Sequence, residues 1–194
     1  MVASMSPELR LMVSPGETYA RLARAPGRGT LLTALRRPVL VAVVIGVSVA
    51  MAATRHVTPA LVVSTVLCWS FVVVLQAAIG LGLIAGAGRR TVGIARALDL
   101  YFAGHAPWSL WMLAAAAWAP SVFGRSLTPL LIAALVPFML TTRIVSAFFR
   151  EVLEMDPRHA LALTLAQQAL TWGSFVILFG TAVALVPRVL EWVP

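Results

Sequence analysis

The chain has 194 residues, of which 60% are apolar and only 11% charged, with a mean hydropathy of +0.93 and a formal net charge of +8. A soluble domain of this size carries about a quarter charged residues, and no water-soluble fold hides this much apolar surface. A soluble globular enzyme is therefore excluded, and a bilayer is the implied solvent. The positive charge is arginine throughout, fifteen residues without a lysine, which points to GC-rich coding and a bacterial source. These arginines stand beside apolar runs, not in a basic cluster interleaved with aromatics. They signal membrane topology and exclude nucleic acid as a partner.

Residues 1–37 form a polar, basic N-terminal segment. Within it Ser14-Pro15-Gly16-Glu17 spells a helix start, with Ser as N-cap, Pro at the first helical position and Glu placed to close a capping box. The helix is expected to run to about Ala25 and stop at Pro26-Gly27. Tyr19 and Leu22 share one side of it, while Arg21 and Arg24 add positive charge. That pattern predicts a membrane-surface helix lying among anionic headgroups.

Residues 38–186 are read as a five-helix transmembrane domain, and 187–194 as an outer tail. The first span covers 38–53, with Arg36 and Arg37 snorkelling from one end. Arg-Arg before an apolar core, with Ala50-Met51-Ala52 behind it, imitates a secretory leader, and the segment is read as a retained anchor. The second span, 59–87, is uncharged and long enough to tilt. A turn at Arg89-Arg90 leads into an interfacial helix over 91–102 and a third span over 100–122, with Pro107 as an expected kink. The fourth span is apolar over 127–142 and carries Pro137 as a second kink site. Asp156 as N-cap and Pro157 as the next residue open the fifth, uncharged over 160–186.

Orientation follows from arginine counting. Twelve arginines fall on the side of the N-terminus and three, Arg55, Arg125 and Arg188, on the other. The positive-inside rule predicts a cytoplasmic N-terminus, an external C-terminus and a bacterial inner-membrane location.

Catalytic signatures are missing: the sequence has no His-Glu-x-x-His, Gly-x-Ser-x-Gly, phosphate-binding loop or Cys-x-x-Cys. Cys68 is the only cysteine, so neither a disulfide framework nor a paired-cysteine metal site is expected. His56, His105 and His159 fall in different segments, and no metal or cofactor is expected. His105 remains the one cofactor candidate, because intramembrane ionisable groups are functional candidates by default. Asp99, His105, Arg143, Gln167 and Gln168 form the intramembrane polar set. The bland reading pairs Asp99 with Arg96 and lets the glutamines bond neighbouring helices. Glu151, Glu154, Asp156 and His159 are read as a solvated turn, with Arg150 four residues before Glu154.

The clearest pattern concerns packing. Ala42, Gly46 and Ala50 in the first span and Ala78, Gly82 and Gly86 in the second recur every four residues. Such stripes let helix backbones approach, and they predict that the two spans pack on each other through them.

The segment Pro15-Gly16-Glu17-Thr18-Tyr19-Ala20-Arg21-Leu22, the amphipathic stretch 91–102 and five spans after a cytoplasmic N-terminus together resemble the bacterial branch of the YIP-domain family. The Asp-Leu-Tyr-Gly-Pro element of its eukaryotic members is absent, and Asp99-Leu100-Tyr101 stands elsewhere. The resemblance implies a non-enzymatic membrane protein that binds other integral membrane proteins. The sequence thus predicts an all-α interaction or scaffold protein of the inner membrane. A small transporter or channel component is the alternative, as is a pigment-holding subunit using His105.

Overall fold

A computed structural model describes residues 6–27, 29–54, 58–87, 92–122 and 128–190. Among them every regular element is an α-helix. The helices are α1 (Pro7–Val13), α2 (Pro15–Arg24), α3 (Leu31–Thr54), α4 (Pro59–Gly86), α5 (Ile94–Ala103), α6 (Ala106–Val122), α7 (Thr128–Glu151) and α8 (Pro157–Leu190). By length and composition, α4 and the stretch Ile132–Glu151 of α7 could each cross a membrane.

The five long helices close a ring. α3 touches α4 and α6, α6 touches α7, α7 touches α8, and α8 returns to α4. The short helices sit at one end of it, with α5 against α3, α4 and α7, α2 against α7, and α1 bridging α2, α5, α6 and α7. The tightly buried core belongs to that end: Tyr19 of α2, Ile84 of α4, Leu98, Leu100, Tyr101 and Phe102 of α5, Ile144, Val145, Phe148 and Phe149 of α7 and Ala160 of α8. The outward faces farther along, such as Ile132, Leu135, Val136 and Met139 of α7, are exposed and apolar.

Several local signals decide where helices begin. Asp156 Oδ1 accepts from the backbone N–H of Arg158 at 3.0 Å and of His159 at 3.2 Å. It therefore satisfies two of the free donors that open α8. Thr30 and Thr33 do the same for α3, each accepting the other's backbone N–H through its hydroxyl, at 2.9 and 3.2 Å. This cap starts α3 at Leu31, so Pro38 lies inside the helix instead of opening it. The first long helix thus begins inside the segment that the sequence assigns to the N-terminal tail.

Other starts differ from expectation. Ser14 stands at the N-cap of α2, yet its side chain makes no capping bond. A preceding helix, α1, fills the segment before it and is capped by Ser6, which accepts from the Leu9 N–H at 3.4 Å. The third long helix is not continuous through 100–122. The chain turns at Gly104-His105, and Pro107 lies in the first turn of α6, where a missing N–H costs nothing. The turn after α7 puts Glu154 at φ 52°, in the left-handed region, which a non-glycine residue occupies only at a cost. Arg28, Arg55, His56, Arg89, Arg90, Arg125 and Trp192 lie outside the described residues.

The α3–α4 pairing uses Gly46 of the expected α3 stripe, but a different face of α4. A Cβ on Gly46 would stand 2.8 Å from Val66 Cγ2 and 3.5 Å from the Val62 carbonyl, so the two backbones meet there. Gly82 and Gly86 have nothing within 4 Å of that position, and Ala78 is exposed. The close approach on α4 belongs to Gly80, whose Cβ would lie 2.8 Å from the Tyr101 ring of α5. An even-spaced small stripe exists on α4, but the helix turns it outward and packs the neighbouring stripe.

Candidate functional site

The end of the ring that holds the short helices contains a buried polar and aromatic network. Tyr101 of α5 lies at its centre. Its ring meets Phe148 edge-on at 5.8 Å, and His105 at 4.5 Å. Its hydroxyl accepts from Gln167 Nε2 at 3.1 Å, and that amide also reaches Thr171 Oγ1 at 3.2 Å. One turn of α8 thereby grips α5. The adjacent Gln168 faces α7, donating from Nε2 to Thr142 Oγ1 at 3.2 Å and accepting from Trp172 Nε1 at 3.2 Å. The expectation that these glutamines bond other helices describes what they do here, and each takes a different neighbour.

Tyr19 reverses the reading of α2. It is fully buried, edge-on to Phe148 at 5.7 Å, and its hydroxyl donates to the Leu100 carbonyl at 3.2 Å. Burial pushes the phenol well above its ordinary range. Thr18 and Pro15 are buried with it, and Leu22 packs at the edge of the core, while Arg21 and Arg24 are exposed. The apolar side of α2 thus covers α7 and α5, not the headgroup layer. Amphipathicity cannot distinguish these two partners, because both offer one apolar and one wet side.

The charged residues separate into pairs. Asp99 accepts from Arg96 at 3.0 Å and lies 3.6 Å from Arg37, which also reaches Glu8 at 3.3 Å. This chain of charges ties α1, α3 and α5 together. Arg143 is exposed and donates to the Val13 carbonyl at the end of α1, at 3.2 Å. At the end of α7, Arg150 pairs with Glu151 at 3.7 Å instead of reaching Glu154. His159 bonds Asp156, and this side-chain bond is the main cause holding the Asp156 carboxyl below its usual range.

His105 occupies the turn between α5 and α6, 6% exposed. Its Nδ1 lies 2.9 Å from the Tyr101 carbonyl. A carbonyl accepts only, so Nδ1 carries the proton and Nε2 keeps a lone pair. That Nε2 is buried without a partner. No three His, Cys, Asp or Glu side chains stand together among the described residues. Of Asp99, His105, Arg143, Gln167 and Gln168, His105 alone lines the cavity between α1, α3, α4 and α6. The structure spends Asp99 on arginines, Arg143 on α1, and the glutamines on α5 and α7.

Beside this network a cavity of about 640 Å³ opens between α1, α3, α4 and α6. Its size is that of an ordinary small-molecule site. Arg36 and Arg37 stand at one part of its wall, Gln76, His105 and Ser109 add polar groups, and Val41, Val73, Met112 and Leu113 are among its apolar lining. Ala42, buried at 6% exposure, lines it too. Sequence reasoning missed the cavity, because no single helix carries its pattern. Comparison with protein-family models, curated proteins and solved structures finds no match for this chain.

Proposed function

We propose that this chain is a five-span protein of a bacterial inner membrane, with its N-terminus in the cytoplasm and its C-terminus outside, acting as a non-enzymatic interaction subunit. The observation that carries the reading is where the interior polar groups go. Gln167 to Tyr101, Gln168 to Thr142 and Tyr19 to the Leu100 carbonyl each join two different helices. Interior polarity in this chain fixes helix positions, which is the work of a scaffold in lipid. The ring of α3, α4, α6, α7 and α8 supports five spans. The arginine-rich ends of those helices cluster with α1, α2 and α5 at one end, which supports the orientation. The YIP-like layout agrees with a role in binding other membrane proteins, and the Pro15–Leu22 segment would serve it by locking α2 onto the bundle.

The test is in-membrane crosslinking from the exposed apolar face of α7. A photoreactive residue replacing Val136 or Met139 should yield one discrete protein adduct, while the same residue at the buried Phe148 should yield none. Lipid adducts alone from both α7 positions would contradict the interaction role.

His105 favours a second reading. A buried imidazole with a carbonyl on one nitrogen and a free lone pair on the other has the form of an oriented axial ligand. The visible spectrum and metal content of wild type and His105→Gln, purified alike, decide it. The scaffold reading expects no chromophore or metal that depends on this residue, and a pigment or haem lost in the variant would replace that reading.

A further inference from the structure

The cavity wall is graded from cationic to apolar, and helix register shows it. α3 and α4 run antiparallel, with Gly46 against Val66. Ten residues back along α3 and ten forward along α4 put Arg36 level with Gln76, since each helix rises about 1.5 Å per residue. His105, in the turn before α6, and Ser109 on α6 belong to the wall, and Met112 and Leu113 lie roughly one to two turns farther along. Arg36 and Gln76 thus share one depth, and Val41 on α3 with Val72 and Val73 on α4 carry apolar lining away from it.

The charges at that depth do not cancel. Glu8 is taken up by Arg37, which is shared with Asp99. Arg36 makes no ion pair among the described residues. Gln76 makes no hydrogen bond among them either, although an amide facing apolar surroundings is costly without one. A pocket with one uncompensated cation and one unused amide at its mouth, and hydrocarbon below, is complementary to one kind of ligand.

We propose that this cavity binds a single-chain anionic amphiphile. Its headgroup pairs with Arg36, its ester or headgroup oxygen accepts from the Gln76 amide, and its acyl chain runs along α6 towards Leu113. The site rests on the membrane reading above, since the bilayer supplies the ligand. Topology reporters decide that reading separately from the titration that follows.

The full chain, in a neutral maltoside detergent, is titrated with lysophosphatidylglycerol carrying a brominated chain. Bromine quenches tryptophan, and Trp108 lines the cavity. Saturable quenching is expected, and it should shrink in Trp108→Phe. Lysophosphatidylcholine of the same chain should bind about tenfold more weakly, the worth of one charge-assisted contact. Arg36→Gln, at an exposed side chain that should not affect folding, should remove that difference. Val73→Phe should weaken both ligands by filling the apolar part, and unchanged thermal stability without ligand would show that it folds. Glycerol phosphate, the headgroup without its chain, should not compete. Equal affinity for the two lysolipids, an unaffected Arg36→Gln, or competition by glycerol phosphate alone would each overturn the proposal.

Discussion

At the scale of single residues, the account turns on which glycines are needed for space. Gly80 lies against the Tyr101 ring, and Gly104 is tighter still, since a Cβ there would stand 2.5 Å from the Tyr19 hydroxyl. Gly80→Leu should therefore lower thermal stability in detergent by about 1–3 kcal/mol through overpacking. Gly82→Leu, on an open face, should be nearly silent. A Gly82→Leu variant as damaged as Gly80→Leu would mean that the outward stripe is a contact after all. Tyr19 gives a pH test. Its phenol is raised above the ordinary 10.0 by burial, so the folded state holds a proton that the unfolded state loses. Its contribution is complete below pH 10 and fades as pH rises beyond it. Tyr19→Phe should cost about 1 kcal/mol at neutral pH for the lost bond to Leu100. It should also flatten the decline of melting temperature above pH 10. An unchanged alkaline slope would exclude Tyr19 as its source.

At the scale of elements, helix ends were legible where one local signal stands alone and obscure where signals compete or tertiary packing decides. Asp156-Pro157 and the end of α2 near Ala25 could be read because their signals are local. The start of α3 could not, since Thr30 and Thr33 precede a basic pair and a proline that both suggest a boundary. The break at Gly104-His105 was hidden for another reason: Gly104 is required by Tyr19, which is distant in sequence. Asp156 gives the corresponding test. Its carboxyl is lowered mainly by the bond to His159, so the cap is intact above the ordinary carboxylate range and is lost as pH falls through the lowered value. Asp156→Ala should speed amide exchange in the first turn of α8 at neutral pH and remove its acid sensitivity. Protection unchanged by the substitution would show that packing, not the cap, holds that turn. The Glu154 turn is a second case. Glu154→Gly should be neutral or stabilising by up to about 1 kcal/mol, because glycine takes φ 52° without strain. Glu154→Val should destabilise by about as much or more. Equal melting temperatures for the two variants would remove strain from the account of this turn.

At the scale of the whole molecule, composition announced an all-helical apolar chain, and small-residue spacing announced that α3 and α4 meet. Which faces meet depended on a rotation of α4 that a four-residue repeat does not encode, because Gly80 and Gly82 stand about 200° apart on one helix. That the glutamines bond other helices was legible, but their partners and the cavity were not, since both are assembled from single residues on several helices. What these scales share is a polarity of the bundle: one end rich in arginine, short helices and buried core, the other formed by the apolar lengths of five long helices. We propose that this polarity is a membrane orientation. Reporter fusions test it most directly, one before Met1 and one after Pro194, each read for activity on either side of a bacterial host's cell membrane. The account predicts a cytoplasmic reporter active at the N-terminus and a periplasmic reporter active after Pro194. Both termini on one side would require an even number of spans and contradict it.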